Sequence, residues 1–239
     1  MAIFVKGRNL PEAWEKSIIE LWRKGIDIET EYGDFSRDTA AVILVEKPFL
    51  EPRVHLKGIV AGSLKGLLDY VDEVVNGVND WRVGKDWHYT YHERLFKYSI
   101  PFGHVIDQIE AVITKLKERP YTRRAQAITW QPWKDLKSDS PPCLQRLWFR
   151  VVDERLVMHA HMRSNDAFKA AFMNMYAFTM LQKKMAEKMG IKTGYYLHVA
   201  DSYHVYAKDW KWVEKFVKQI ETGMSKRYWM STQDYLRRI

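Results

Sequence analysis

The chain's one cysteine, Cys143, follows Pro141-Pro142, whose fixed φ angles favour an extended or turning backbone just ahead of a strand. Arg123 and Arg124 stand about twenty residues before it, and Arg163-Ser164-Asn165-Asp166 begins twenty residues after it. Guanidiniums and a hydroxyl converging on one place would bind a phosphate through charge-assisted hydrogen bonds. They would also favour the thiolate, the nucleophilic form, of a neighbouring cysteine. By residue type alone the plainer reading is a cysteine packed as a small hydrophobe, with arginines in surface ion pairs worth little each. His159 and His161 alternate with Arg163 as a metal pair on a strand would, but no third ligand accompanies them. Hydrogen bonding or exposure is their expected fate, so no metal site is expected.

These groups need elements to hold them. Leu10, Trp14, Ile18, Leu21 and Trp22 share one helical face in a segment that ends at Gly25. "TAAVILVEKP" is β-branched and stops at Pro48, so it reads as a buried strand. Three glycines weaken the helical spacing of "HLKGIVAGSLKGLLDYVDEVV". Residues 104–120 carry Ile106, Ile109, Val112, Ile113 and Leu116 at helical spacing, and "TRRAQAITW" extends after them as a strand. "LQRLWFRVVDERLVMHAHMR" reads as a hairpin turning at Asp153-Glu154. "DAFKAAFMNMYAFTMLQKKMAEKMG" reads as a long apolar helix closed by Gly190, its methionines packing the core. "GYYLHVADSYHVY" gives a strand and turn, and "DWKWVEKFVKQIE" an amphipathic helix with Asp209 as its cap. Strands and helices mix without strict alternation, which favours an α+β layer architecture over a doubly wound sheet.

A length of 239 residues, 46% of them apolar, supports a full hydrophobic core, and residues 1–239 are expected to form a single domain. No run approaches the roughly 18 apolar residues of a membrane span, and the first residues lack a signal-peptide core, so a cytoplasmic protein without a membrane partner is expected. One cysteine forms no internal disulfide, which suits a reducing compartment. The net charge of +8 raises the chance of a phosphorylated or polyanionic partner. Because Lys and Arg are spread along the chain, nucleic-acid binding through Arg123, Arg124 and Arg163 is the weaker reading from another class.

Arg123-Arg124 with Trp130, then "PPC", "RSND", "FMN" and "DSYHVY", in that order and spacing, resemble the thymidylate synthase family. "YGDFSRD" resembles its phosphate-binding arginine loop, and the likeness runs from about Tyr32 to Tyr206. The resemblance implies an α+β fold with a mixed sheet and flanking helices, one sheet face being used for dimerisation. It implies a methyltransferase that converts dUMP to dTMP, with 5,10-methylenetetrahydrofolate or a methylene-tetrahydromethanopterin-like donor as cosubstrate. Cys143 would add to pyrimidine C6, and Tyr91 would help remove the C5 proton. Arg37, Arg163 and Ser164 would hold the 5′-phosphate, joined by Arg123 and Arg124 from the second subunit of a homodimer. Asp166 would lie at the nucleotide and folate site, Asn174 would read the O4 and N3 edge, and His204 with Tyr206 would bind the sugar 3′-hydroxyl.

The chain also departs from the family. Leu144 follows the cysteine where bacterial members have histidine, and Gly66 stands at the place of a catalytic glutamate, for which Asp69 or Glu73 could substitute. Trp81 or Trp87 is the candidate for the aromatic that guides hydride transfer, and the bacterial tail that closes over folate has no counterpart. These features resemble the archaeal-type branch. The same first-step residues would serve a hydroxymethylase of dUMP, dCMP or CMP, in which water captures the methylene.

Overall fold

The computed structural model describes residues 2–60 and 63–239; Ala61 and Gly62, within the glycine-rich run, lie outside the described residues. The first half of the chain contains β1 (Ala2–Gly7), α1 (Leu10–Lys24), β2 (Ile26–Glu29), β3 (Phe35–Val45), β4 (Val54–His55), α2 (Gly66–Asn76), α3 (Tyr91–Phe96), β5 (Tyr98–Ser99), β6 (Val105–Ile106) and α4 (Gln108–Glu118). The second half contains β7 (Gln126–Ile128), α5 (Pro132–Asp135), β8 (Leu144–Val152), β9 (Arg155–Asp166), α6 (Ala171–Met189), β10 (Lys192–Tyr206), α7 (Trp210–Glu221), β11 (Trp229–Met230) and α8 (Thr232–Leu236). The fold is α+β, built on a mixed sheet of order β1-β3-β10-β9-β8-β7, with β2 pairing the first part of β3. Pairs β1/β3 and β9/β10 are parallel; β3/β10, β8/β9 and β7/β8 are antiparallel.

The local sequence explains the element boundaries. Asn9 caps α1 by accepting from the Glu12 amide, and Leu10, Trp14, Ile18 and Leu21 are buried beneath it. Gly25 ends that helix in extended backbone (φ −64°), not the left-handed form its position suggested. Helix α4 begins only at Gln108, capped by Asp107, because Val105–Ile106 pair with β5. At the β8–β9 hairpin Asp153 (φ 48°) and Glu154 (φ 55°) are both left-handed, as a two-residue turn of matching twist requires. Helix α6 is buried on most of its surface and closes at Gly190 (φ 71°). Asp209 does not cap α7 with its side chain; its carboxylate pairs with Lys169 at 2.6 Å.

Alternation along each strand divides the sheet into two unlike faces. Inward residues such as Ile43, Phe149, Met158 and Tyr196 are buried in one continuous core with α1, α4 and α6. On the other face Phe4, Val42, Leu44, Trp148, His159 and Leu197 are only partly covered or exposed.

Strand β10 changes phase part-way. Between Ala200 and Tyr203 it carries one more residue than β3 opposite: Ala200 pairs Ala41, and Tyr203 pairs Thr39. Before this bulge the even-numbered residues Tyr196, His198 and Ala200 face the core; after it the odd-numbered Tyr203 and Val205 do. Ser202, His204 and Tyr206 are thereby turned to a cavity at the end of the sheet.

Candidate active site

That cavity, about 910 Å³, is lined by Cys143, Arg163, Ser164, His204 and Tyr206. Cys143 is half-buried just ahead of β8. Arg163 clasps the preceding prolines: its Nε donates to the Pro142 carbonyl at 3.1 Å and its Nη2 to the Pro141 carbonyl at 2.7 Å. Its backbone amide donates to the Cys143 carbonyl at 2.8 Å. The guanidinium therefore does two jobs, fixing the loop that carries the sulfur and placing positive charge beside it. Burial nevertheless pushes the Cys143 thiol up, and the opposing pull of Arg163 is the smaller effect. The neutral thiol is favoured, contrary to the thiolate suggested by an arginine at this spacing.

Tyr70, Tyr89 and Tyr91 stand close enough to Cys143 to feel its charge. Tyr91, at the start of α3, accepts from the Leu144 amide at 3.3 Å. Tyr89 lines the main cavity and also a second one of about 380 Å³, shared with Tyr70, Glu73, Trp87 and Tyr91. Burial and the nearby Cys143 push the Tyr89 hydroxyl up to about 12, against hydrogen bonding by the Cys143 backbone and Tyr91. Tyr70 donates to Asn174 Oδ1 at 2.5 Å. The loop carrying Tyr89 and Tyr91 is anchored by Asp80, which accepts from Thr90 Oγ1 at 2.6 Å and contacts His92 Nδ1 at 2.8 Å.

Not every expected site residue meets in the cavity. Arg37 points to the helices: it holds Asp27 through Nε at 2.7 Å and Nη2 at 3.0 Å, with its guanidinium over the rings of Trp22 and Trp210. Arg123 and Arg124 are exposed beside edge strand β7 and do not line the cavity. Asn174 lies in the first turn of α6, its amide oxygen engaged by Tyr70. Asp166 accepts from the Phe168 and Lys169 amides, forming the turn into α6, and burial raises its carboxyl. Of the two carboxylates that could replace the glutamate, Asp69 is exposed and pairs with Lys65 at 3.5 Å, whereas Glu73 faces the second cavity and is raised by burial. Trp87 lines that cavity, whereas Trp81 is exposed. His161 pairs with Asp201 at 3.0 Å, and His159 lies 3.3 Å from the Tyr195 hydroxyl. Among the described residues no three His, Cys, Asp or Glu side chains form a metal-holding group.

A thymidylate synthase family model matches residues 15–235. The chain belongs to the thymidylate synthase family. Among its curated relatives, a Methanosarcina mazei protein is 33% identical over 90% of this chain and 95% of its own length. The corresponding Methanothermobacter thermautotrophicus protein is 27% identical over 91% of this chain and all of its own. A Methanocaldococcus jannaschii protein is 29% identical over 89% and 95%. Each carries the name "Putative thymidylate synthase".

Several residues that line the cavity of this family member carry no signal of their role in the sequence motifs, among them Tyr89, Asp38, Ser36 and Ser202. Tyr89 sits two positions before Tyr91 in "YTY", a repeat that could have drawn notice to both. Asp38 and Ser36 flank Arg37, and alternation on β3 sends them into the cavity as it sends Arg37 away. Ser202 owes its orientation to the β10 bulge, which no side-chain pattern announces. Among the described residues no helix is long and apolar enough to cross a membrane.

Proposed function

We propose that this protein is a thymidylate synthase working as a one-domain homodimer, methylating C5 of dUMP with a reduced folate or pterin as the one-carbon donor. The observation that carries the reading is the single cavity in which Cys143 meets Arg163, Ser164, His204 and Tyr206. A 5′-phosphate bound near Arg163 and Ser164 and a sugar near His204 and Tyr206 would hold the ring against the sulfur, so that remote binding energy serves positioning.

Cys143 loses its proton as its sulfur bonds to C6, and the electron pair of the C5–C6 bond moves to C5 and O4 as an enolate. C5 would then bond to the donor's one-carbon unit as a carbon–nitrogen bond pair of the donor moves to nitrogen; once the C5 proton has left and that nitrogen has departed, hydride reaching the methylene would release Cys143 from C6 as a thiolate. Tyr91, with Tyr89 beside it, serves the removal of the C5 proton, and Asn174 faces the pyrimidine edge once Tyr70 shares or yields its amide oxygen. The second cavity suits a flat reduced pterin, because Trp87 and Tyr70 offer aromatic faces and Glu73 can hold and return a proton at its raised carboxyl. When bound, that donor supplies a methylene carbon and a hydride. Arg123 and Arg124 of a second protomer complete the phosphate clamp across the half-covered sheet face.

Incubation with 5-fluoro-dUMP and a panel of methylene-bearing folates and pterins tests this reading. The expected result is a covalent adduct on Cys143, located by mass spectrometry and missing from Cys143→Ser. An unmodified mass with every donor would overturn it, and a hydroxymethyl product from dUMP would move the assignment to the hydroxymethylase reaction.

A further inference from the structure

The cavity wall also carries a hydrogen-bonded chain of three side chains, Asp38, Ser202 and His204. Asp38 on β3 lies in register with His204 on β10, and both line the cavity together with Ser202. Ser202 Oγ donates to Asp38 Oδ2 at 2.5 Å and lies 3.1 Å from His204 Nδ1. A carboxylate only accepts, and a serine has one proton. With that proton committed to Asp38, Ser202 can serve His204 only as an acceptor, so Nδ1 must carry the hydrogen. A neutral imidazole protonated at Nδ1 presents a bare lone pair at Nε2. Among the described residues Nε2 has no hydrogen-bond partner, and His204 is 6% exposed at the cavity wall.

We propose that Asp38 is a positioning and specificity residue, fixing His204 through Ser202 as an acceptor so that this part of the cavity takes a ligand hydroxyl able to donate. On the reading of the ligand as dUMP, that donor is the sugar 3′-hydroxyl. A group that only accepts, such as fluorine at the same carbon, meets the Nε2 lone pair and is disfavoured. The tautomer follows from the protein alone, while the choice of sugar rests on the proposed function.

Two measurements separate these dependencies. Long-range ¹H–¹⁵N correlation of histidine-labelled protein is expected to show His204 as the Nδ1–H tautomer in wild type. In Asp38→Ala, freed Ser202 can donate to Nδ1, and the tautomer should shift to Nε2–H; in Ser202→Ala the preference should relax. Titration calorimetry with dUMP and its 3′-fluoro-3′-deoxy analogue is expected to show dUMP bound about tenfold more tightly by wild type, the value of roughly one hydrogen bond. That ratio should fall toward one in both variants. An Nε2–H tautomer in wild type, or an unchanged tautomer and ligand ratio in both variants, would overturn this role of Asp38. If wild type binds neither nucleotide, the dUMP reading fails and the tautomer measurement alone decides that role.

Discussion

Cys143 carries opposing influences within a few ångströms: a cavity wall that disfavours charge and a guanidinium that favours it. Burial prevails, so the thiol form is favoured, and any attack by the sulfur requires that its proton leave. The folded thiol therefore titrates above its ordinary value, and its reactive fraction grows as pH rises. Alkylation of Cys143 by iodoacetamide should be slow at neutral pH and still climbing at pH 9.0, the ordinary thiol value. Arg163→Gln keeps a donor for the proline carbonyls but removes the charge, and should slow alkylation by on the order of threefold to tenfold at a given pH. A rate that levels off below neutrality, or that is indifferent to Arg163→Gln, would contradict this balance.

Between residues and fold stand the elements that aim the side chains, and the end of α2 illustrates their tolerance. Gly77 closes that helix at φ +70°, and a Cβ there would lie 2.2 Å from His92 Nδ1, the ring held by Asp80. Gly77→Ala should cost about 2 kcal/mol in urea unfolding, combining left-handed strain with the displaced imidazole. Because the same Asp80 anchors Thr90, turnover should fall further than stability as Tyr89 and Tyr91 shift. Much of this level was legible in the sequence: the faces of α1 and α4, the Asp153-Glu154 turn and the closure at Gly190 all follow from local chemistry. Cys143, Arg163, Ser164, His204 and Tyr206 were also legible as a group, through motif order. Arg37 was not, because its motif match gave no account of strand phase, and alternation exchanged it for Asp38. The Cys143 thiol was misjudged for a related reason: spacing reveals a neighbouring charge but not the depth of burial.

At the scale of the molecule, charge is unevenly placed. The chain is +8 in total, yet its cavity wall bears Glu29, Glu31, Asp38 and Asp139 against the single guanidinium of Arg163. A phosphate dianion entering a lone protomer would meet a wall richer in carboxylates than in cations, while Arg123 and Arg124 stand exposed elsewhere. A second protomer that brings them in would reverse that balance. Mixing inactive Cys143→Ser protein with inactive Arg123→Ala/Arg124→Ala protein should restore turnover that neither parent has, by forming hybrid dimers with one intact site. No recovery after subunit exchange would place the arginines outside the partner's site. The bulge in β10 bears on the same site from another direction. Since a strand reads out its two sides in strict turn, the extra residue between Ala200 and Tyr203 works like a frameshift between core and cavity. Were the same residues paired without the bulge, the phase of Tyr196, His198 and Ala200 would carry on to turn His204 into the interior and Tyr203 outward without altering any letter, so the site depends on where the strand breaks step as much as on its residues.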